Sequence, residues 1–445
     1  MTEFTDQLSG HGRGPWSIQA DWIIPVAGPA IRDGILVVEQ DRIRSIGHAG
    51  QVKPSANHER LAPGLAILPG LVNAHTHLEL SGLRGQLPRN VPMPEWILAL
   101  LRYRPDRAGQ LAGVRAGVQE CLATGTTTVG DISYNNAACH ELAKLPIRAV
   151  AFAEVLGIAP ADHDAMARLA RQLDNPPQGP LLTHGISPHA PYSTSPSVYR
   201  DAIALARRRG WPIMTHLAET PGEGDLLRNG GGPLLDLLRR LGVIDTSFPK
   251  LGLGPVELAR QLGLLEADCL LAHVNYTDDA ELDILATGRA SVVYCPLSSR
   301  FFGRGGHRFA DMLRRGINVA IGTDSLASND SLDMLAELRA IWSGDAWAGA
   351  TPAVCAGVPE TPTAADAAAV APNVGAPQIL EMGTINGAKA LGLADRTGSL
   401  EPGKQADLII VNVGQTDDPV AAVLQGQGGV ERTIVAGRAV FRKSR

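Results

Sequence analysis

Short apolar runs alternate with longer amphipathic stretches through the middle of the chain. Eight runs rich in Val, Ile, Leu and Thr lie at 66–74, 126–132, 147–156, 181–187, 212–217, 268–274, 290–295 and 318–323. They lack the strict alternation of half-exposed strands and read as strands buried on both faces. Between them, stretches such as 108–123, 161–173 and 197–209 space apolar residues three and four apart, which predicts helices. Eight β/α units predict an α/β fold, a (β/α)8 TIM barrel. A doubly wound open sheet is the alternative that the same pattern permits.

The two ends of the chain have a different rhythm. Strand-like segments occur at 22–26, 34–39 and 42–47, with Gln40-Asp41 as a hairpin turn. Similar segments recur at 406–412 and 433–441. The two ends can pair into one small β domain, or each can stand as an independent hairpin. The pairing predicts a composite β-sandwich from residues 1–65 and 397–445 around a catalytic barrel at 66–396. A long insert at 221–266 follows the fifth predicted strand and is placed to cover the barrel mouth. Residues 344–377 are biased to Ala, Pro and Gly, which favours a loop. Either segment is a candidate lid.

Bulk properties narrow the function classes. The chain has 445 residues, 44% of them hydrophobic, and a net charge of −5. It has no Lys/Arg block to attract nucleic acid. No apolar run reaches the roughly 18–20 residues of a membrane span. Residues 1–15 contain no hydrophobic signal core. The five cysteines (121, 139, 269, 295 and 355) form no CxxC cluster. A cytoplasmic enzyme with a small-molecule substrate fits, either monomeric or as a homo-oligomer.

The first predicted strand runs into Asn73-Ala74-His75-Thr76-His77. Residues i and i+2 of a strand share a side, so His75 and His77 can meet one cation. In a barrel of this kind chemistry gathers at the strands' C-terminal ends. Those ends carry His189, His216, His273 and Asp324 on strands four, five, six and eight. His75, His77, His216 and Asp324 would form an N3O site with a position left open, as a catalytic zinc requires; Fe2+ or Mn2+ is the alternative. A two-metal site commonly needs a carboxylated lysine. None of the six lysines (53, 144, 250, 389, 404 and 443) ends a predicted barrel strand, so one ion per chain is expected.

A bound cation lowers the pKa of water from 15.7 to about 7. Glu219, three residues after His216, suits a general acid/base. His273 would order water or polarise the substrate, with a role as fifth ligand left open. Asp324 can serve as both ligand and proton acceptor.

These residues stand in a longer pattern. Pro69-Gly70-Leu71-Val72-Asn73-Ala74-His75-Thr76-His77, Thr215-His216-Leu217-Ala218-Glu219-Thr220, the His273 strand and Gly322-Thr323-Asp324 resemble the amidohydrolase superfamily. So does the tail, with Thr384-Ile385-Asn386-Gly387-Ala388-Lys389 and Glu401-Pro402-Gly403-Lys404-Gln405-Ala406-Asp407. The likeness is to its aminohydrolase and chlorohydrolase branch, which includes guanine, cytosine and S-adenosylhomocysteine deaminases. It implies the composite β domain and the same metal ligands.

Within that branch, His77-Leu78-Glu79-Leu80-Ser81, Trp96 and the segment from Asp324 to Leu332 resemble aminodeoxyfutalosine deaminases of the alternative menaquinone pathway. That likeness implies hydrolytic deamination of a 6-aminopurine nucleoside. It gives His189 a substrate contact and lets Glu79 or Arg84 reach ribose or a side-chain carboxylate; otherwise Glu79 and Arg84 are surface loop residues. Trp96 is a core residue or a base-stacking platform. Arg300 stands where the branch has an asparagine and could meet an anionic substrate group. The competing expectations are hydrolysis at another leaving group, such as a triazine halide or a cyclic amide, and a metal-binding protein without turnover.

Overall fold

In the computed structural model, which describes residues 14–158, 164–244, 248–347, 374–426 and 428–444, the apolar run at 66–74 is two strands that meet at Gly70. The first, β5 (Leu65–Pro69), belongs to a sheet built from both ends of the chain. The second, β6 (Leu71–Thr76), opens the barrel. Gly70 is required by close approach: a Cβ there would stand 2.1 Å from the Thr127 hydroxyl.

The composite sheet contains β1 (Trp16–Ile23), β2 (Ile31–Glu39), β3 (Arg42–His48), β4 (Asn57–Arg60) and β5. From the other end come β14 (Leu408–Asn412), β15 (Val430–Val435) and β16 (Arg438–Arg442). Its order is β16-β15-β14-β5-β1-β2-β3, with β4 paired to β1. The β5–β14 register sets Leu68 against Ile409, which joins the two ends of the chain. Ile18, Leu36, Ile43, Ile67, Leu408 and Ile434 share one buried cluster. The predicted turn joins β2 to β3, with Gln40 at φ 58°.

The barrel strands are β6, β7 (Thr126–Ser133), β8 (Arg148–Val155), β9 (Leu182–Pro188), β10 (Ile213–Leu217), β11 (Cys269–His273), β12 (Ser291–Tyr294) and β13 (Val319–Ile321). They are parallel and follow one another in sequence order. Val72, Ile132, Phe152, Met214, Leu270 and Val293 fill the interior. The helix Ile385–Ala390 and Leu391 behind it plug the end where the strands begin. There Asn386 donates to the Val319 carbonyl at 3.1 Å. The Asn-Gly-Ala-Lys-Ala-Leu signature is therefore a packing element.

The seam between β13 and β6 closes at the other end. Thr76 bridges to Asp324, and the Asp324 amide donates to the His75 carbonyl at 3.1 Å. The Asn73 side chain donates to Thr323 Oγ1 and accepts from the Thr323 amide. Gly322 permits this contact, because a Cβ there would meet the His75 carbonyl at 2.7 Å. A buried ion pair, Arg148 to Asp407 at 2.8 Å, ties the barrel to the composite sheet.

The insert after β10 forms three helices, Pro221–Asn229, Pro233–Arg240 and Pro255–Gln261. Residues 348–373, most of the Ala/Pro/Gly-rich segment, lie outside the described residues. Among the described residues no helix is long and apolar enough to cross a membrane.

Candidate metal centre and cavity

The closing seam brings the ends of β6, β10, β11 and β13 together around a histidine cluster. Ligand-capable atoms of His75, His216 and His273 lie within 4.8 Å of one another, as do those of His75, His77 and Asp324. Asp324 Oδ1 stands 3.8 Å from Nε2 of both His75 and His77. His77 Nε2 and His216 Nε2 are 3.3 Å apart.

Hydrogen bonds around the cluster aim its lone pairs inward. His216 Nδ1 donates to the His189 carbonyl at 3.0 Å, which turns Nε2 toward the cluster. The His75 Nε2 atom is buried and has no hydrogen-bond partner. Burial, then repulsion from neighbouring histidines, holds the His75 imidazole well below its ordinary pKa. Neutral imidazoles around one carboxylate, with an orphaned nitrogen among them, fit a divalent cation.

Asp324 is held by serines of its own segment, Ser325 and Ser328, and by Ser298 of the helix Pro296–Phe301. Its Oδ2 accepts from Ser298 Oγ at 2.8 Å and Ser328 Oγ at 2.9 Å, and its Oδ1 from the Ser325 amide. Burial pushes its pKa up, but His273, His77 and His216 outweigh that and the net shift is downward.

Glu219 sits beyond β10 with its Oε1 4.0 Å from His273 Nε2. Arg304 Nη1 donates to the same oxygen at 3.1 Å. Burial raises the Glu219 pKa, yet His273 and Arg304 together reverse it, so the carboxyl rests as an anion. The turn that presents Glu219 has Ala218 at φ 48°. Buried Glu223 accepts from the amides of Ala218 and Glu219 at 3.0 and 3.1 Å. The spacing Thr220-x-x-Glu223 is a capping-box signal that points to this residue.

These groups form the floor of a cavity of about 320 Å³. Glu79, Arg104, Tyr134 and Glu154 line its polar side. Arg104 Nη2 donates to Glu79 Oε1 at 3.1 Å, Ser133 Oγ donates to Glu79 Oε2 at 2.9 Å, and the Arg104 guanidinium lies 4.1 Å over the Tyr134 ring. Burial, then the nearby Glu79, pushes Glu154 up to about 8. Trp96 also lines the cavity, its indole N–H donating to the Ala327 carbonyl. His189 faces the same space, its Nδ1 engaged by Ser193 Oγ. The rim is apolar, with Met93, Ile97, Leu101, Phe302 and, from the insert, Leu237 and Leu241.

Of the expected substrate contacts, Glu79, Trp96 and His189 line this cavity, whereas Arg84 and Arg300 do not. Arg84 pairs with Glu120 outside it. Arg300 is exposed and borders a separate depression with Trp342 and Asp345. The guanidiniums that approach the site are Arg104, where the chain leaves the helix Met93–Tyr103, and Arg304. No lysine lines the cavity among the described residues. Glu154 had a signal in the sequence, as a lone carboxylate inside an apolar run.

The described geometry has counterparts in known proteins. Residues 66–440 match the model of the amidohydrolase family. The chain is 32% identical over 403 residues to the 5-methylthioadenosine/S-adenosylhomocysteine deaminase of Moorella thermoacetica, covering 88% of this chain and 84% of that one. It is 30% identical to the protein of the same name from Teredinibacter turnerae, covering 96% and 92%. An adenosine deaminase from Xanthomonas campestris, solved with bound zinc, superposes with a TM-score of 0.78 at 26% identity, over 95% of this chain and 92% of that one. Helicobacter pylori aminofutalosine deaminase in complex with methylthio-coformycin gives a TM-score of 0.78 over 96% and 100%; at 22% identity it shows a shared fold alone. With the barrel, the composite sheet and the histidine–aspartate cluster in place, this chain belongs to the amidohydrolase family.

Proposed function

We propose that the protein is a zinc-dependent hydrolytic deaminase of a 6-aminopurine nucleoside, with one ion held by His75, His77, His216 and Asp324. The observation that carries this reading is the meeting of three features in one cavity. They are a cluster of neutral imidazoles around Asp324, an ionised Glu219 beside it, and a polar wall opposite an apolar rim. The names of the relatives at 30–32% identity support the amino-nucleoside class.

Bound zinc supplies a Lewis acid that makes water acidic near neutral pH. Glu219, an anion at rest, would accept one proton of the attacking water and deliver it to the ring nitrogen; it would then take the second, from the new hydroxyl on the attacked carbon, and pass it to the departing ammonia. His273, 4.0 Å from that carboxylate, orients the water. Asp324, with Oδ2 engaged by two serines, would help hold the ion through its carboxylate. The Glu79–Arg104 pair and Glu154 offer acceptors and donors to sugar hydroxyls. Trp96 and Phe302 give the purine an aromatic wall, and His189 adds a polar contact. Arg104, rather than Arg84 or Arg300, supplies the cation of this wall.

The test is ammonia release by the zinc-loaded protein. The panel is adenosine, methylthioadenosine, S-adenosylhomocysteine and aminodeoxyfutalosine, with guanine, cytosine and a chlorotriazine beside them. Release from at least one 6-aminopurine nucleoside is expected. Turnover confined to the pyrimidine, guanine or triazine would overturn the proposal.

A further inference from the structure

β11 ends in an unusual turn. His273 has φ 71° and Val274 has φ 51°. Two successive non-glycine residues in the left-handed region persist only where their surroundings hold them there. From the β10 side, the Val274 amide donates to the Leu217 carbonyl and the Asn275 amide to the Ala218 carbonyl, both at 3.0 Å. From the other side comes His307. It lies between the helices Pro296–Phe301 and Phe309–Arg314 and is buried. Its Nε2 donates to the His273 carbonyl at 2.8 Å. Its ring stacks on Tyr294 with centroids 3.9 Å apart and planes 17° from parallel. Its Nδ1 is buried without a partner. A buried imidazole that spends one donor on a strained carbonyl and leaves its other nitrogen unmatched is an expensive way to fill a core.

We propose that His307 is a positioning residue for the reaction: its Nε2–H fixes the His273 carbonyl, and so the left-handed turn that aims the His273 imidazole at the cluster. The inference rests on the proposed deaminase reading for its kinetic test only. His307 does not itself line the cavity, and its one hydrogen bond toward the site is to the His273 carbonyl. It acts through one peptide group.

Stacking and donation can be separated by substitution. His307→Phe keeps a ring for Tyr294 and removes the donor. His307→Gln keeps an N–H donor at similar reach and removes the ring. A pure packing role makes Phe the milder change, whereas the positioning role makes Gln the milder one. The measurements are kcat and KM on the best nucleoside of the panel, zinc content, and the visible spectrum of the cobalt-substituted protein. The expected result for His307→Phe is a kcat loss on the order of 10–100-fold, as for a misaimed reacting group. KM and metal content stay near wild type, and the cobalt bands shift. His307→Gln restores both kcat and spectrum. Wild-type kcat in the Phe protein, or equal losses in Phe and Gln, would overturn the inference. If the Phe protein does not fold, the Gln protein decides: near-wild-type kcat supports it and a tenfold loss overturns it. If no nucleoside is turned over, the deaminase reading falls, and the cobalt spectra still decide. Bands moved by Phe and restored by Gln support the positioning role, and unmoved bands overturn it.

Discussion

His77 Nε2 and His216 Nε2 face each other across 3.3 Å. The His216 Nδ1–H donates to the His189 carbonyl, and burial disfavours the doubly protonated, charged form of His77. Two ring nitrogens able to ligate one cation therefore face each other inside the barrel. Chelation should lower the thermal midpoint, and zinc should restore it. Ligand binding to the native state alone stabilises by about 4 kcal/mol at a thousand times Kd. Calorimetry with and without dipicolinate checks this. His216→Ala should abolish the zinc-dependent shift; a shift of unchanged size in that variant would remove His216 from the ligand set.

Glu219 and Glu223 are both buried carboxyls, four residues apart, with different tasks. Glu219→Gln should keep zinc and lower kcat by a factor on the order of 10²–10⁴, the range of general acid/base catalysis. Glu223→Ala should act through structure. It leaves the amides of Ala218 and Glu219 unmatched, at about 1–3 kcal/mol for each orphaned donor. Its thermal midpoint should fall, while that of Glu219→Gln should not. Metal analysis, kinetics and melting on the two variants separate the roles. A Glu219→Gln protein with wild-type kcat would refute the assignment.

The strand ends were readable because a barrel imposes one rule on all of them. His75, His77, His216, His273 and Asp324 each follow a β-rich run, and parallel strands carry such ends to one rim. Their mutual support was not readable. Ser298 sits on the short helix Pro296–Phe301 and Ser328 in the loop after β13, and only the fold decides that both reach Asp324 Oδ2. The first barrel strand begins at Leu71 rather than 66, because β5 and β6 form one apolar run and only the close packing of Gly70 against Thr127 divides them. The arginines show the limit most clearly. Arg84, Arg104, Arg300 and Arg304 all lie in loops or at helix ends near the site, and composition does not tell which guanidinium turns inward. The exit of the chain from the helix at Arg104 decides one case. The partner Glu120 on the outer helix Arg107–Ala123 decides another.

That distinction is itself testable. Arg84 is half exposed and bound to Glu120, so Arg84→Ala should change stability by no more than about 1 kcal/mol and leave KM alone. Arg300→Ala should likewise leave KM alone. Arg104→Ala strips the cation from Glu79, a carboxylate 2% exposed, and should raise KM on the order of tenfold or more while kcat changes less. Steady-state kinetics on the three variants decides it. A KM effect at Arg84 equal to that at Arg104 would return Arg84 to the substrate site.

Glu154 gives a pH prediction with a definite sign. Burial, then the Glu79 charge, raises its folded-state pKa from the ordinary 4.5 to about 8. Between these values the native state binds a proton that the unfolded chain has released. Stability contributed by this group is therefore fully present below about pH 4.5 and declines as pH rises to about 8. Glu154→Gln keeps the shape and cannot ionise, so the variant should gain thermal stability over wild type at pH 8 and little at pH 5. The same substitution tests the polar wall. If the protonated carboxyl donates to a sugar hydroxyl, wild-type KM rises as pH passes 8, whereas the Gln amide still donates and flattens that rise. Melting curves and KM at pH 5, 7 and 9 measure both effects. Parallel stability profiles for the two proteins would show that Glu154 is already ionised at neutral pH and that the wall carries a free negative charge.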